Sequence, residues 1–359
     1  MTLITLDGSQ FNDVDTLLLG ALSLSAATGQ PFEMKEVGKI ASTPGVTPLH
    51  LTVMRALARL CGAEMKGEAI SAKTVRFTPK HAPQARDFVV DTGETTGRPL
   101  TAPVTPLMEA LIPALAAADG DTLVRLRGVN ASPFSPSAFW ARETLAPMLS
   151  WLGMEVAVEI EKWGWHPEGG GETTLVVEGG WLKTQARGSL VWEERGDLVG
   201  LWAVAALSPR LEERAGQQMV STLQKELARE PFGAMQIEVR RVRSPGPGSG
   251  LFLALQFEQV TAGFEAVSHR GMSAEQVVQD ATSAMSQYFW SDAALSAELG
   301  RALMIPLALT GQPASFTTNE LTPAMRVLEY LIPQFLPVTV SLSKHPSGGQ
   351  VQIQPNPSA

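Results

Sequence analysis

Three times along the chain, a run of apolar residues at helical spacing stops at a glycine-containing break and gives way to a strand-like segment. Residues 17–27 form the first run, which ends at Thr28-Gly29-Gln30-Pro31 and leads into a strand from Phe32. Residues 107–118 form the second, ending at Asp119-Gly120-Asp121 before a strand at 122–127. Residues 299–309 form the third, ending at Thr310-Gly311-Gln312-Pro313 before a strand near 315–318. Glycine just past the last turn accepts left-handed backbone, and a following proline has no N–H with which to continue the helix. Each break is followed by a second helix and two further strands. These lie at 49–61, 64–66 and 74–77, then at 136–152, 155–161 and 173–178, and finally at 322–335, 338–342 and 350–353. The pattern predicts an α/β fold of the α+β sandwich type, built from three βαβαββ-like units, each a sheet backed by two helices.

Residues 183–267 break this period. They read as a strand at 198–206, a helix at 210–229 and strands at 235–241 and 251–259, with Ser244-Pro245-Gly246-Pro247-Gly248-Ser249-Gly250 as a turn or loop. The expected division is a large repeat domain of residues 1–182 and 268–359, interrupted by a smaller inserted α/β domain at 183–267.

Composition narrows the possibilities without naming a function. Of 359 residues, 44% are hydrophobic and 18% charged, enough for a substantial core and inconsistent with wholesale disorder. Every long apolar run is interrupted by Pro, Gly or charge, and Met1-Thr2-Leu3-Ile4-Thr5-Leu6-Asp7 lacks the form of a secretion signal. No membrane association is expected, and the cytoplasm is the default compartment. The single cysteine, Cys61, excludes an internal disulfide, and its apolar surroundings mark it as a core thiol. Acidic residues exceed basic ones, 36 to 28, which argues against general coating of nucleic acid. Local basic patches remain open around Arg240, Arg241 and Arg243, or Arg125 and Arg127.

Local motifs then point to a family. Leu6-Asp7-Gly8-Ser9-Gln10, Ala21-Leu22-Ser23-Leu24-Ser25 and Thr28-Gly29-Gln30-Pro31-Phe32 follow one another near the start. Pro44-Gly45 with His50-Leu51-Thr52, then His166-Pro167-Glu168-Gly169-Gly170-Gly171, come next. Ile305-Pro306-Leu307-Ala308-Leu309 and Phe335-Leu336-Pro337-Val338 close the series. In this order, and on three repeats with an insert before the last, the chain resembles the RNA 3′-terminal phosphate cyclases. The resemblance implies ATP-dependent chemistry, in which a histidine is adenylylated, AMP passes to an RNA 3′-phosphate, and the 2′-hydroxyl closes a 2′,3′-cyclic phosphate. Such chemistry needs a nucleophile, a divalent cation and groups to hold developing charge.

Matched to the family's motifs, this sequence departs at those positions. The G-E-G-G-G-Q loop stands as Phe11-Asn12-Asp13-Val14-Asp15-Thr16, with Asn12 where the metal-serving Glu would be. Leu19 replaces an arginine, Glu109 a glutamine, and Arg301-Ala302 an Asp-Gln pair. The nucleophilic histidine is replaced by Ala324. The resemblance therefore implies a catalytically degenerate relative with neither ATP nor magnesium as cofactor and no metal site.

Other candidates carry two readings. His50 opens an apolar helix, where it is either a capping residue or a retained groove residue of the family. Gln10 and Asn130 lie in segments that border the family's groove, and Arg301 adds a cation where an acid stood. Together with Glu109 they are the candidate ligand-binding residues. Trp151, Trp163, Trp165 and Trp181, with Trp192 and Trp202, serve either base stacking or packing beneath the insert or at a subunit contact. His81, His269 and His345 show no metal-ligand spacing. The favoured function is a non-catalytic binding or scaffold protein in RNA processing, taking an RNA 3′ end, another anionic ligand or a protein partner. Homo-oligomers are compatible with it, and the family includes ribosome-biogenesis proteins that act through partners without cyclase activity. The alternative is an enzyme with rewired chemistry on Asp13, Asp15, Glu109 and Arg301. An enolpyruvyl transferase of similar repeats would need six of them and a longer chain.

Overall fold

The computed structural model describes residues 2–94, 102–181, 190–228, 232 and 235–357. The first unit runs β1 (Ile4–Asp7), α1 (Val14–Thr28), β2 (Phe32–Lys35), α2 (Pro48–Cys61), β3 (Glu64–Lys66) and β4 (Val75–Thr78). The second runs β5 (Phe88–Asp91), α3 (Thr105–Ala116), β6 (Thr122–Gly128), a helical stretch, β7 (Val156–Lys162) and β8 (Gly171–Val177). That stretch is α4 (Ala138–Trp140), a π-helical turn (Ala141–Leu145) and α5 (Ala146–Trp151). The third unit opens with β9 (Leu190–Trp192), and the insert follows as β10 (Leu198–Leu207), α6 (Glu213–Leu227), β11 (Met235–Arg241), β12 (Ser249–Phe257), β13 (Thr261–Val267) and α7 (Ala274–Ser291). Then α8 (Ala297–Leu309), β14 (Ala314–Thr318), α9 (Pro323–Phe335), β15 (Val338–His345) and β16 (Gly348–Pro355) complete the third unit.

The three units share one sheet topology. Their strand orders are β1-β2-β4-β3, β5-β6-β8-β7 and β9-β14-β16-β15, each with a parallel first pair and two antiparallel pairs. The insert has its own sheet in the order β11-β10-β12-β13, where the first strand is central rather than at an edge. It is therefore not a fourth copy, and among the described residues no sheet runs continuously through it.

Two elements lie on the other side of the expected 183–267 limits. β9 pairs in parallel with β14 and belongs to the third repeat sheet, whereas α7 packs on the insert through Val277, Ala281, Met285 and Tyr288. The reason is visible in the pairing. The chain completes one edge strand, leaves to build the insert, and returns only when α7 has covered that sheet. The expected limit at 182/183 lies outside the described residues, as does Arg229 at the end of the predicted insert helix.

Helix α1 shows how sequence sets the centre. It is apolar on all faces, so it is buried all round, against α2, α3 and α9. Asp13 caps its start by accepting from Thr16 N–H at 3.0 Å, and Gly29, at φ 75°, ends it by donating its N–H to the Ser25 carbonyl. Gly20 keeps α1 close to α9, since a Cβ there would come within 2.8 Å of Leu331.

One face of the insert's sheet packs on α6 and α7, and the other on the second repeat unit. There Trp163, Trp165 and Phe139 meet Val204, Ala206 and Phe252. Trp163 and Trp165 stack at 5.1 Å, and Phe139 lies 4.9 Å from Phe252. Trp181 and Trp192 sit in the main core, while Trp151 is exposed. Packing beneath the insert is thus the role of Trp163 and Trp165. Both chain crossings into the insert are tied at one place. The guanidinium of Arg195 donates to the carbonyls of Tyr288, Phe289 and Ala293 and lies 4.6 Å over the Phe257 ring. Thr317 Oγ1 accepts from Ala294 N–H and donates to the Glu193 carbonyl.

Candidate functional site

The first turns of α1, α3, α8 and α9 face a common cavity of about 490 Å³. Its walls are largely apolar, with Leu19 and Gly20 from α1, Ala110 from α3, Ala302 and Ile305 from α8, and Ala324 from α9. Three of the positions singled out by the resemblance, Leu19, Ala302 and Ala324, therefore converge on one space although they are up to 305 residues apart. All three present only carbon to it.

The polar part of the lining is mostly acidic. Asp13, Asp15, Glu109 and Glu298 contribute carboxylates against one lining cation among the described residues, Arg301. Arg301 is already engaged: its Nη2 donates to Glu109 at 3.0 and 2.8 Å, and its Nε donates to Glu298 Oε1 at 3.0 Å. Glu109 lies 192 residues away, so the pair links α3 to α8 across the cavity. Burial pushes the Glu109 carboxyl up and Glu298 adds to this, while Arg301 pulls it back. Burial acts against the guanidinium charge, but Glu109 and Glu298 outweigh it and keep the proton on Arg301.

His50 stands behind this wall and does not line the cavity. It is fully buried, and its Nδ1 accepts from Thr47 N–H at 3.1 Å while Thr47 Oγ1 accepts from His50 N–H, forming a capping box at the start of α2. With Nδ1 committed as acceptor, the ring proton belongs on Nε2, which lies 2.8 Å from Asp15 Oδ1. That hydrogen bond holds the Asp15 carboxyl below the usual carboxylate range.

The remaining candidates lie apart. Gln10 and Asn12 are exposed in the turn before α1 and do not line the cavity. Asn130 is buried and spends its amide on structure: Nδ2 donates to the Lys162 carbonyl and Thr173 Oγ1, and Oδ1 accepts from Gly164 N–H. The Gly169-Gly170-Gly171 turn joins β7 to β8, and Gly171 allows that approach, since a Cβ there would come within 2.6 Å of Asn130. Arg240 pairs with Glu238 and lies 5.7 Å over Trp202, and Arg241 donates to the Pro209 and Leu211 carbonyls, so both are committed locally. Burial pushes the Cys61 thiol up to about 11, as befits a core residue.

Sequence reading missed Ser23, Phe134 and Glu298. Glu298 was accessible to it, because it lies three residues before Arg301 on a helix and so shares its face. Phe134 carried a weaker signal, an aromatic residue set within Ser132-Pro133-Phe134-Ser135-Pro136. It is 78% exposed at the cavity rim, edge-on to the His166 ring at 5.1 Å.

Repeats that converge through their helix starts on a shared cavity, beside a smaller inserted domain, define a repeat-built α/β protein with its site at the junction of the units. Residues 15–342 match the family described as RNA 3′-terminal phosphate cyclase, and the chain belongs to that family. It is 31% identical over 359 residues to the RNA 3′-terminal phosphate cyclase of Methylococcus capsulatus, covering 100% of this chain and 98% of that one. It is 32% identical over 351 residues to the protein of the same description from Salmonella paratyphi C, covering 98% and 96%. A solved EPSP synthase from Acinetobacter baumannii aligns with 99% of this chain and 64% of its own, at 13% identity and a TM-score of 0.26, too low to carry any argument. Among the described residues, no helix is long and apolar enough to cross a membrane.

The family implies ATP and a divalent cation, and the residues at the junction do not fit them. Segment 11–16 is the capped start of a helix, with Val14 buried and the Thr16 amide taken by Asp13, not an open glycine cradle. Among the described residues, no group of three or more His, Cys, Asp or Glu side chains is placed to hold a metal ion.

Proposed function

We propose that this protein is a non-catalytic member of the cyclase family, a cytoplasmic protein that acts by binding in the setting of RNA processing and has given up nucleotide chemistry. One observation carries the reading. The cavity where the repeat units meet offers carbon at Leu19, Ala302 and Ala324, and the one cation that lines it among the described residues is held by Glu109 and Glu298. A triphosphate entering there would meet unpaired negative charge at close range, an interaction on the order of several kcal/mol per contact at the effective dielectric of a protein site.

The rewired-enzyme alternative has little to work with. Asp13 caps α1, Glu109 is paired with Arg301, and the His50 ring is closed off by burial. The anion-attracting role expected of Arg301 is likewise opposed by its two carboxylates, so an RNA 3′ end would have to dock elsewhere. Incubating the protein with α-labelled ATP and magnesium should leave no covalent AMP, and a 3′-phosphorylated oligoribonucleotide should remain uncyclised. A labelled protein band stable to denaturation would overturn the reading.

A further inference from the structure

We propose that the junction cavity binds a small organic cation, an ammonium or guanidinium group carried on an apolar body. The inference rests on the non-catalytic reading of the same site and extends it to a ligand class opposite in charge to the one its relatives are named for.

Three independent features support it. The first is size and lining: about 490 Å³ with mainly apolar walls and a few convergent polar groups is the form of a small-molecule site. The second is charge. Among the described residues, four lining carboxylates stand against one guanidinium, a formal side-chain charge of −3. Helix dipoles act in the other direction. Four helix N-termini contribute roughly +0.5 each, about +2 in all, and less where Asp13, Ser296 and Thr322 already cap them. The sum stays negative. Asp15 and Glu298 are the acids best able to meet a ligand, since their side chains are 61% and 42% exposed while Glu109 is mostly buried against Arg301.

The third feature is an unmet polar atom. Ser23 lines the cavity from α1 and is 1% exposed, yet among the described residues its Oγ has no hydrogen-bond partner. A buried hydroxyl left unpaired costs about 1–3 kcal/mol, a cost that a ligand N–H would remove by donating to it. At the rim, the exposed Phe134 ring, in T-shaped contact with His166, is an aromatic surface on which a cation could rest. An apolar body seated on Leu19, Ile305 and Leu328 would cover the remaining carbon surface.

The test compares two probes of the same shape, phenethylamine and 3-phenylpropionate, by calorimetric titration of the full chain at low salt. The amine should bind saturably, at least about tenfold more tightly than the carboxylate, and should weaken as salt is raised. Asp15→Asn combined with Glu298→Gln should reduce amine affinity by about tenfold, and Ser23→Val should reduce it less. The wild-type comparison needs no variant, so a misfolded substitution cannot decide the matter. Equal binding of both probes, a preference for the carboxylate, or no binding of the amine would overturn the inference. A covalent AMP adduct in the ATP experiment would instead remove the reading beneath it. Absence of the adduct together with absence of amine binding would sink the cation inference alone.

Discussion

Two half-buried carboxylates near Glu298 are held in different ways. Glu109 faces a guanidinium across the helix junction. Glu265, on β13 of the insert, faces only Ser137 at the start of α4, accepting from its amide and its hydroxyl at 2.6 Å each. Burial is the main influence on both, and Glu298 pushes both up. With no cation partner among the described residues, burial raises Glu265 to about 7. Burial raises both carboxyls, and only at Glu109 does a guanidinium act against it. The contact between insert and repeat domain therefore holds a carboxyl that titrates within the physiological range.

The largest expected effect comes from removing the counter-charge. Arg301→Met should destabilise the protein by about 2–4 kcal/mol at pH 7, because it leaves Glu109 and Glu298 facing each other in a poorly hydrated site. Urea unfolding measures this, and Glu109→Gln added to Arg301→Met should recover at least half of the loss. Full recovery of stability by Arg301→Met alone on raising the salt would mean that the site is wetter than its geometry indicates.

Glu265→Gln should have a smaller effect that depends on pH. The folded-state value lies above the ordinary carboxylate value of 4.5, so the folded protein holds a proton that the unfolded chain releases. The contribution from that proton is fully present below about 4.5 and is lost as pH rises through about 7. Wild-type stability should fall by on the order of 2 kcal/mol between pH 5 and 8 relative to Glu265→Gln, whose profile should be flatter there. Parallel profiles would show that Glu265 does not titrate in this window.

Asp15→Asn is the smallest effect. Its carboxyl is held low by His50, so its contribution is present above the ordinary value of 3.8 and fades as pH falls through its lower folded value. Because Asp15 is well exposed, the loss at neutral pH should stay below about 1 kcal/mol. A loss larger than that of Arg301→Met would reverse the ranking and make the Asp15–His50 pair the structural keystone of the junction.

The repeat units were legible because each carries its own punctuation. The apolar α1 ends at Gly29, α3 and α8 stop shortly before Gly120 and Gly311, and the successors α2 and α9 begin at Pro48 and Pro323 behind the capping threonines Thr47 and Thr322. Strand β9 was not, because three residues have no period and gain their identity from β14, which lies far along the chain. Helix α7 was assigned to the wrong body for a related reason: its apolar face has helical spacing but does not state which sheet it covers. At the site, Leu19, Ala302 and Ala324 could be singled out from the sequence, but the cavity they share could not. Nor could the pairing of Glu109 with Arg301, since separate losses and a compensating pair look identical until two helices are brought together.

The way β9 is captured has a consequence for synthesis on the ribosome. This strand emerges roughly 120 residues before β14 and must wait on the order of ten seconds for its partner at ordinary elongation rates. Closing so long a loop in an open chain would cost about 4 kcal/mol of entropy. The insert emerges in that interval, and Arg195 draws residues just after β9 to the end of α7. Once the insert has folded, β9 waits on a tether of a few residues beside the place where α8 will begin. The third sheet then closes as a local event, and vectorial synthesis turns the most distant strand pairing in the chain into one of its easier steps.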